Sequence, residues 1–335
     1  MDRRALGRTG IRVPSLCLGT MTFGVQADEP TSFAILDRAF AAGVDFLDTA
    51  DVYPLGGGLP TVGRTEEIIG NWMAARGNRA RVFLATKCRG QMGAGTNDVG
   101  LTRFHIQRAV EASLRRLRSD VIDLYQTHFF DPHTPIDETL RALDDLVRAG
   151  KVRYVGCSNY PLYRLAEAQA VAGQLGVTRY ETLQPRYNML YREIETEILP
   201  WCRQEKLGVI VYNPIAGGVL SGKYRAGETP RAGTRFTLKG AGEMYQHRYW
   251  DQVQLAAVEE LAKEAEKRGL SLASLAVAWV LAQSGITSAI IGASRAEQLD
   301  ATVAGANLQL DPEVTKLCDA IWWQLPRRPV AEGYR

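Results

Sequence analysis

Four side chains in the first half of the chain have the types and spacing for one piece of chemistry: Asp48, Tyr53, Lys87 and His128. A tyrosine hydroxyl, with an ordinary pKa of about 10, is a poor acid at neutral pH. A lysine ammonium beside it favours the phenolate and lowers that value, and an aspartate beside the lysine keeps the ammonium charged and in place. A histidine orients a carbonyl oxygen and shares the proton. Such a group would protonate a carbonyl oxygen while hydride reaches its carbon. Side chains supply no hydride, so a cofactor has to. Each residue alone has a plainer reading: Asp48 as a loop cap, Tyr53 as a packing residue, Lys87 as a surface charge, His128 as a satisfied core histidine. Their shared placement favours the joint one.

That placement is regular. Apolar runs end on polar groups at Asp48, Lys87, His128, Ser158–Asn159, Gln184 and Tyr212. Helical stripes fall between them, such as Ile106, Val110, Leu114 and Leu117, or Ile136, Leu140, Leu143 and Val147 before the stop at Gly150. Thr134-Pro135-Ile136 predicts an N-cap at Thr134 with proline at the first helical position. This is the layout of parallel strands that present groups at their carboxyl ends. Eight strands are expected. They are Leu16–Gly19, strands closing at Asp48 and Lys87, 121–127, Lys151–Cys157, Glu181–Gln184, Gly208–Tyr212 and Ile286–Ile291. Helices are expected over about 32–42, 65–75, 102–118, 251–268 and 271–283, with another from about Arg295. A turn at Leu6–Ile11 predicts a small hairpin ahead of them. The fold class is therefore an (α/β)8 TIM barrel with an N-terminal β-hairpin and extended loops at its C-terminal face, one domain over residues 1–335. The longest loop, Asn213 to Trp250, reads as irregular.

Composition excludes several classes. Hydrophobic content of 46% with 23% charge is ordinary for a globular protein, and 40 basic against 37 acidic residues leave a net charge of only +3. Nucleic acid and anionic membranes are not expected partners. The five cysteines are scattered without CxxC spacing, so neither a disulfide framework nor a metal site is expected, and a reducing cytoplasmic setting fits. The N-terminus has no apolar signal core, and the stretch from Leu270 to Ala282 falls short of the ~20 residues that span a bilayer. Oligomeric state is not readable.

No GxGxxG follows any strand. Anion-binding candidates lie late in the chain instead. Gly217-Gly218-Val219-Leu220-Ser221-Gly222-Lys223 offers backbone N–H groups and a lysine to a pyrophosphate, or is a plain turn. Gly292-Ala293-Ser294-Arg295 stands between the last strand and its helix, where a phosphate is attracted, or is an ordinary cap. A guanidinium at Arg295 suits a ribose phosphate. Loops 52–64, 89–102, 129–133 and 213–250 should line a broad apolar mouth. Arg89 reads as a surface charge in preference to a selector of acidic substrates.

Together, Leu18–Gly24, Phe46–Tyr53, Ala85–Lys87, Asp123–His128, Gly156–Asn159 and Ile291–Arg295 resemble the aldo-keto reductase family, over a span from Leu6 to about Leu310. The likeness is greatest to bacterial NADPH-dependent members with a long loop after the seventh strand, and extends to potassium-channel β subunits. The resemblance implies NADPH-dependent reduction of a small-molecule aldehyde or ketone, with Tyr53 as general acid, Lys87 and Asp48 tuning it, and His128 positioning the carbonyl. It implies that Asp48, Ser158, Asn159 and Gln184 face the nicotinamide end and that Tyr212 stacks on the ring. Gly19 and Met21 would line the nicotinamide side, and Asn213 and Pro214 would be among the cofactor contacts. Leu220, Gly222 and Lys223 would meet the pyrophosphate. Gly292, Ser294 and Arg295 would take the 2′-phosphate, with Gln298 near the adenosine. The chain departs from the family's pattern at Ala301 and Thr302, where members often carry an acidic residue and then asparagine, which implies fewer adenine contacts. An NADP(H)-binding regulatory module with little turnover, and NAD(P)-dependent oxidation of a sugar or alcohol, stay open.

Overall fold

The computed structural model describes residues 1–326; positions 327–335 of the expected domain lie outside the described residues. Strands β1 (Arg3–Ala5) and β2 (Arg12–Pro14) form the expected antiparallel hairpin. The next eight strands are β3 (Leu16–Gly19), β4 (Phe46–Asp48), β5 (Phe83–Cys88), β6 (Ile122–Thr127), β7 (Val152–Ser158), β8 (Thr182–Gln184), β9 (Gly208–Val211) and β10 (Ile286–Ile291). They pair in parallel and in chain order, and β10 closes on β3. The (α/β)8 barrel is thus present.

Side chains two residues apart on a strand face the same way, so each strand feeds two cores. The outer one is large. It packs residues such as Leu18, Leu47, Leu84, Tyr125, Val155, Leu183 and Val211 against the helices. The inner one is a small apolar plug of Cys17, Phe46, Ala85, Leu124, Ile210 and Ile290, closed at the amino end by Leu6 and Val13 of the hairpin. Gly7 is required there, because its φ is +58° and an added Cβ would sit 2.8 Å from the Glu181 carbonyl oxygen and the Gly208 nitrogen. Two residues further along the same inward rows come Asp48, Lys87 and Gln126, in register with the plug's next turn: Asp48 pairs with Ala85, and Lys87 with Gln126. The polar group is one layer of the barrel interior, stacked directly on the apolar one.

The helices are α1 (Glu29–Ala41), α2 (Arg64–Arg76), α3 (Arg103–Leu117), α4 (Ile136–Arg148), α5 (Leu162–Leu175), α6 (Ile198–Glu205), α7 (Gly242–Tyr249), α8 (Gln252–Lys267), α9 (Leu272–Ala282), α10 (Leu299–Ala304) and α11 (Pro312–Gln324). Caps set several starts: Asp28 accepts from the Thr31 amide, Thr102 from His105 and Ser271 from Ser274. Three expectations need correction. The N-cap of α4 is Pro135, not Thr134, whose hydroxyl instead donates to Asp131 at 2.8 Å. The helix expected from Arg295 is a 3-10 turn over Ala296–Gln298 leading into α10. The stretch from Asn213 to Trp250 is not irregular throughout. It carries α7 and an aromatic cluster in which Phe236 lies 5.3 Å from Tyr224 and 4.8 Å from Trp250, ring centre to ring centre. No helix among the described residues is long and apolar enough to cross a membrane.

Candidate active site

At the carboxyl ends of the barrel strands, a cavity of about 910 Å³ opens above the polar layer. That size sits at the upper end of the ~300–1,000 Å³ typical of ligand pockets. Its floor is built from strand ends. Lys87, fully buried on β5, donates to Asp48 Oδ2 at 2.5 Å and to the Thr49 carbonyl oxygen at 2.8 Å. Asp48 Oδ1 accepts from Gln184 at 2.8 Å and from Gln126 at 3.1 Å. Three donor groups therefore fix one carboxylate, which in turn fixes the ammonium. The ammonium lies 5.2 Å from the centre of the Tyr53 ring, and the His128 ring meets that ring edge-on at 5.7 Å. All four expected residues come together.

Their electrostatics follow from burial. Burial is the largest single influence on Lys87 and opposes its charge, but the charge and hydrogen bond of Asp48, together with Tyr53 and Cys17, outweigh it and hold the ammonium above its ordinary 10.5. Burial raises the Tyr53 hydroxyl above 10.0; Lys87 pulls it down and Asp48 pushes it up. The lysine effect expected from the sequence is present, yet desolvation is larger, so the phenol keeps its proton at neutral pH. Burial, then the charges of Lys87 and Arg89, hold His128 well below 6.5 as a neutral imidazole. The floor thus offers two uncharged hydrogen-bonding groups next to one fixed cation.

The residues expected at the nicotinamide end are also gathered. Gly19, Met21, Ser158, Asn159, Gln184, Tyr212, Asn213 and Gly292 line the cavity. Asn159 Nδ2 donates to Ser158 Oγ at 2.9 Å and to the His128 carbonyl at 3.1 Å, while its Oδ1 accepts from the Tyr212 hydroxyl at 2.8 Å. Burial raises that hydroxyl to about 12, so it remains a donor. Asn159 adopts φ +58°, a conformation that asparagine tolerates better than most residues. The remaining candidates lie beyond the cavity wall. Pro214 and Leu220 are buried, Gly222 is partly so, and Lys223 is exposed with its ammonium over the Tyr224 ring. Ser294 donates to Gln298 Oε1 through its amide at 2.9 Å, and Arg295 is exposed. At the point of departure, Ala301 supplies a carbonyl to Ser274 and Thr302 bonds the Leu299 carbonyl, so both serve helix packing.

Four cavity-facing or supporting residues were not singled out in the sequence: Gln126, Arg235, Lys239 and Arg248. Gln126 had a signal, since it occupies the same inward row as Leu124. Arg89, expected at the surface, is only partly exposed and lines the cavity. The three late cations come from the 223–250 segment, where no periodic pattern announces direction. Among the described residues no cluster of three or more His, Cys, Asp or Glu side chains suits a metal ion. All five cysteines are buried thiols.

Comparison with known proteins places the site in context. The sequence profile of the Aldo/keto reductase family matches residues 15–323. An uncharacterized oxidoreductase, YrpG, of Bacillus subtilis is 42% identical over 327 residues, covering 96% of each chain. A probable voltage-gated potassium channel subunit beta of Oryza sativa is 36% identical over the full length of both chains. The norsolorinic acid reductase stcV of Emericella nidulans is 34% identical over 93% of this chain and 79% of its own.

Proposed function

The chain belongs to the aldo/keto reductase family of oxidoreductases, and on that premise we propose that it reduces an aldehyde or ketone to the alcohol with NADPH, Tyr53 giving the proton. One observation carries the reading: a buried Lys87–Asp48 pair beneath a protonated Tyr53, beside a neutral His128, on the floor of an open cavity. The residues present fit a nicotinamide dinucleotide. Ser158, Asn159 and Gln184 provide amide and hydroxyl partners for a carboxamide, and Tyr212 a flat ring beside them. Arg235, Lys239 and Arg248 add positive charge to the cavity lining, and the chain continues from Asn213 and Gly292 to the Gly222–Lys223 and Ser294–Arg295 candidates. NADPH supplies the hydride when bound. Arg295 favours the phosphorylated cofactor over NADH.

This chain's own work is at the carbonyl oxygen. Tyr53 and His128 donate hydrogen bonds to it, which polarises the carbon and fixes its face. As negative charge develops on that oxygen, Tyr53 passes its proton across, and the phenolate left behind is stabilised by the adjacent Lys87 ammonium. Asp48 keeps that ammonium charged and immobile, so no reorganisation is needed at the moment of transfer.

Tyr53→Phe removes the proton but little of the pocket. It should lower the rate of NADPH oxidation with an aldehyde by at least the ~10²–10⁴-fold of general acid catalysis, while NADPH binding, followed by fluorescence, stays intact. Normal rates in that variant would overturn the mechanism. The full-length likeness to a potassium channel β subunit supports a second reading, a cofactor-binding regulatory module. Tight NADPH binding without turnover across aromatic aldehydes, dicarbonyls, sugars and pyridoxal would favour it. Turnover mainly with alcohols and NADP⁺ would instead assign the oxidative direction.

A further inference from the structure

Arg89 follows β5 two residues after Lys87 and lines the cavity. Its backbone has φ +119°, a region that non-glycine residues rarely occupy. The turn is held by the Gly100 amide on the Arg89 carbonyl at 3.0 Å, and by Gly90, where an added Cβ would lie 2.7 Å from Val52. The effect is to keep a cation at the pocket wall. Among the described residues the Arg89 guanidinium makes no ion pair or hydrogen bond, and its Nε is buried without a partner. The guanidinium carbon lies 5.9 Å from the centre of the Phe129 ring.

Asp131 feels the Arg89 charge, but its carboxylate is already committed to other donors. Asp131 accepts from the Leu101 amide at 2.7 Å, the Thr134 hydroxyl at 2.8 Å and the His133 amide at 3.1 Å, and it makes no ion pair with Arg89. A buried donor without a partner costs free energy that an incoming acceptor would recover. Position decides which acceptor. Phe129 stacks on His128 at 5.1 Å, and His128 feels the Arg89 charge, so Arg89 stands on the proton-donor wall. The other cavity cations come from the 223–250 segment, and the charge of Arg248 is felt by Tyr212.

We infer that Arg89 selects the substrate by an oxyanion: the carbonyl compound carries a carboxylate or phosphate group, held by the guanidinium, with an apolar body lying over Phe129. Both groups accept paired hydrogen bonds from a guanidinium. The inference rests on the reductase reading, and its test separates the two. Steady-state reduction of benzaldehyde, 4-formylbenzoate and 4-formylphenyl phosphate by NADPH is compared in the wild type, Arg89→Gln and Arg89→Lys. The wild type should favour at least one anionic aldehyde over benzaldehyde by about tenfold or more in kcat/KM, as loss of a charge-assisted hydrogen bond implies; the better of the two identifies the group. That preference should collapse toward unity in Arg89→Gln and partly return in Arg89→Lys. No preference in the wild type, or one undiminished in Arg89→Gln, overturns the inference. If none of the three aldehydes turns over, the reductase reading fails, and calorimetric binding of terephthalate decides this point alone. Binding weakened by Arg89→Gln supports it; equal binding in both proteins refutes it.

Discussion

Tyr53 and Lys87 illustrate how a pair of side chains divides one task. Burial acts on both toward the uncharged form, but only Lys87 has a carboxylate fixed against it, so the lysine stays ionised and the tyrosine stays neutral. Reduction should consequently be insensitive to Tyr53 ionisation through neutrality and fall only above pH 10, as the phenol loses its proton; a pH profile of kcat/KM checks this. His128 works in the other direction. Its folded-state value lies well below the 6.5 of the unfolded chain, so below pH 6.5 the unfolded state binds a proton that the folded state refuses. Stability should therefore decline as pH falls from 6.5, and His128→Asn should flatten that decline in denaturant titrations at successive pH values. The four candidate residues were legible because Asp48, Lys87 and His128 each end an apolar run and Tyr53 follows closely after one. Arg89 was not, since a single arginine in a glycine-rich stretch carries no sign of whether it points inward, and the left-handed turn that aims it has no sequence signature without glycine at that position.

Among the secondary elements, close approach matters as much as amphipathic pattern. Gly70 sits inside α2, where alanine is the better helix former by about 1 kcal/mol. Here a Cβ would lie 2.2 Å from the Arg116 carbonyl oxygen of α3, which is backbone and cannot swing aside. Gly70→Ala should therefore destabilise the protein, by about 1–3 kcal/mol as overpacking does, measured by urea unfolding. A gain in stability would mean that the two helices part readily. The eight strands could be read from the sequence, as runs bounded by turns and separated by 3.6-period stripes. Helix α7 could not. Its segment is organised by aromatics at Tyr224, Phe236, Tyr245, Tyr249 and Trp250, whose spacing follows no period because they converge from an irregular stretch, a 3-10 turn, a helix and its end. The N-cap at α4 was misplaced for a related reason: Thr134 spends its hydroxyl on Asp131, a tertiary partner that local sequence does not reveal.

In the whole molecule, the inner plug separates the reactive layer from the hairpin end. Leu6 and Val13 are fully buried over Cys17, Phe46, Ala85, Leu124, Ile210 and Ile290. Leu6→Ala would leave a void that few neighbours can fill, because barrel closure fixes the strands on every side. It should cost about 2–5 kcal/mol, read as a lower midpoint in thermal or denaturant unfolding, with the cavity above Lys87 unchanged. The stopper also settles a question of traffic. Among the described residues the cavity above Lys87 and Tyr53 opens at the carboxyl ends of the strands while the plug fills the barrel beneath it, so in the proposed mechanism the proton that Tyr53 gives up is replaced from the mouth side.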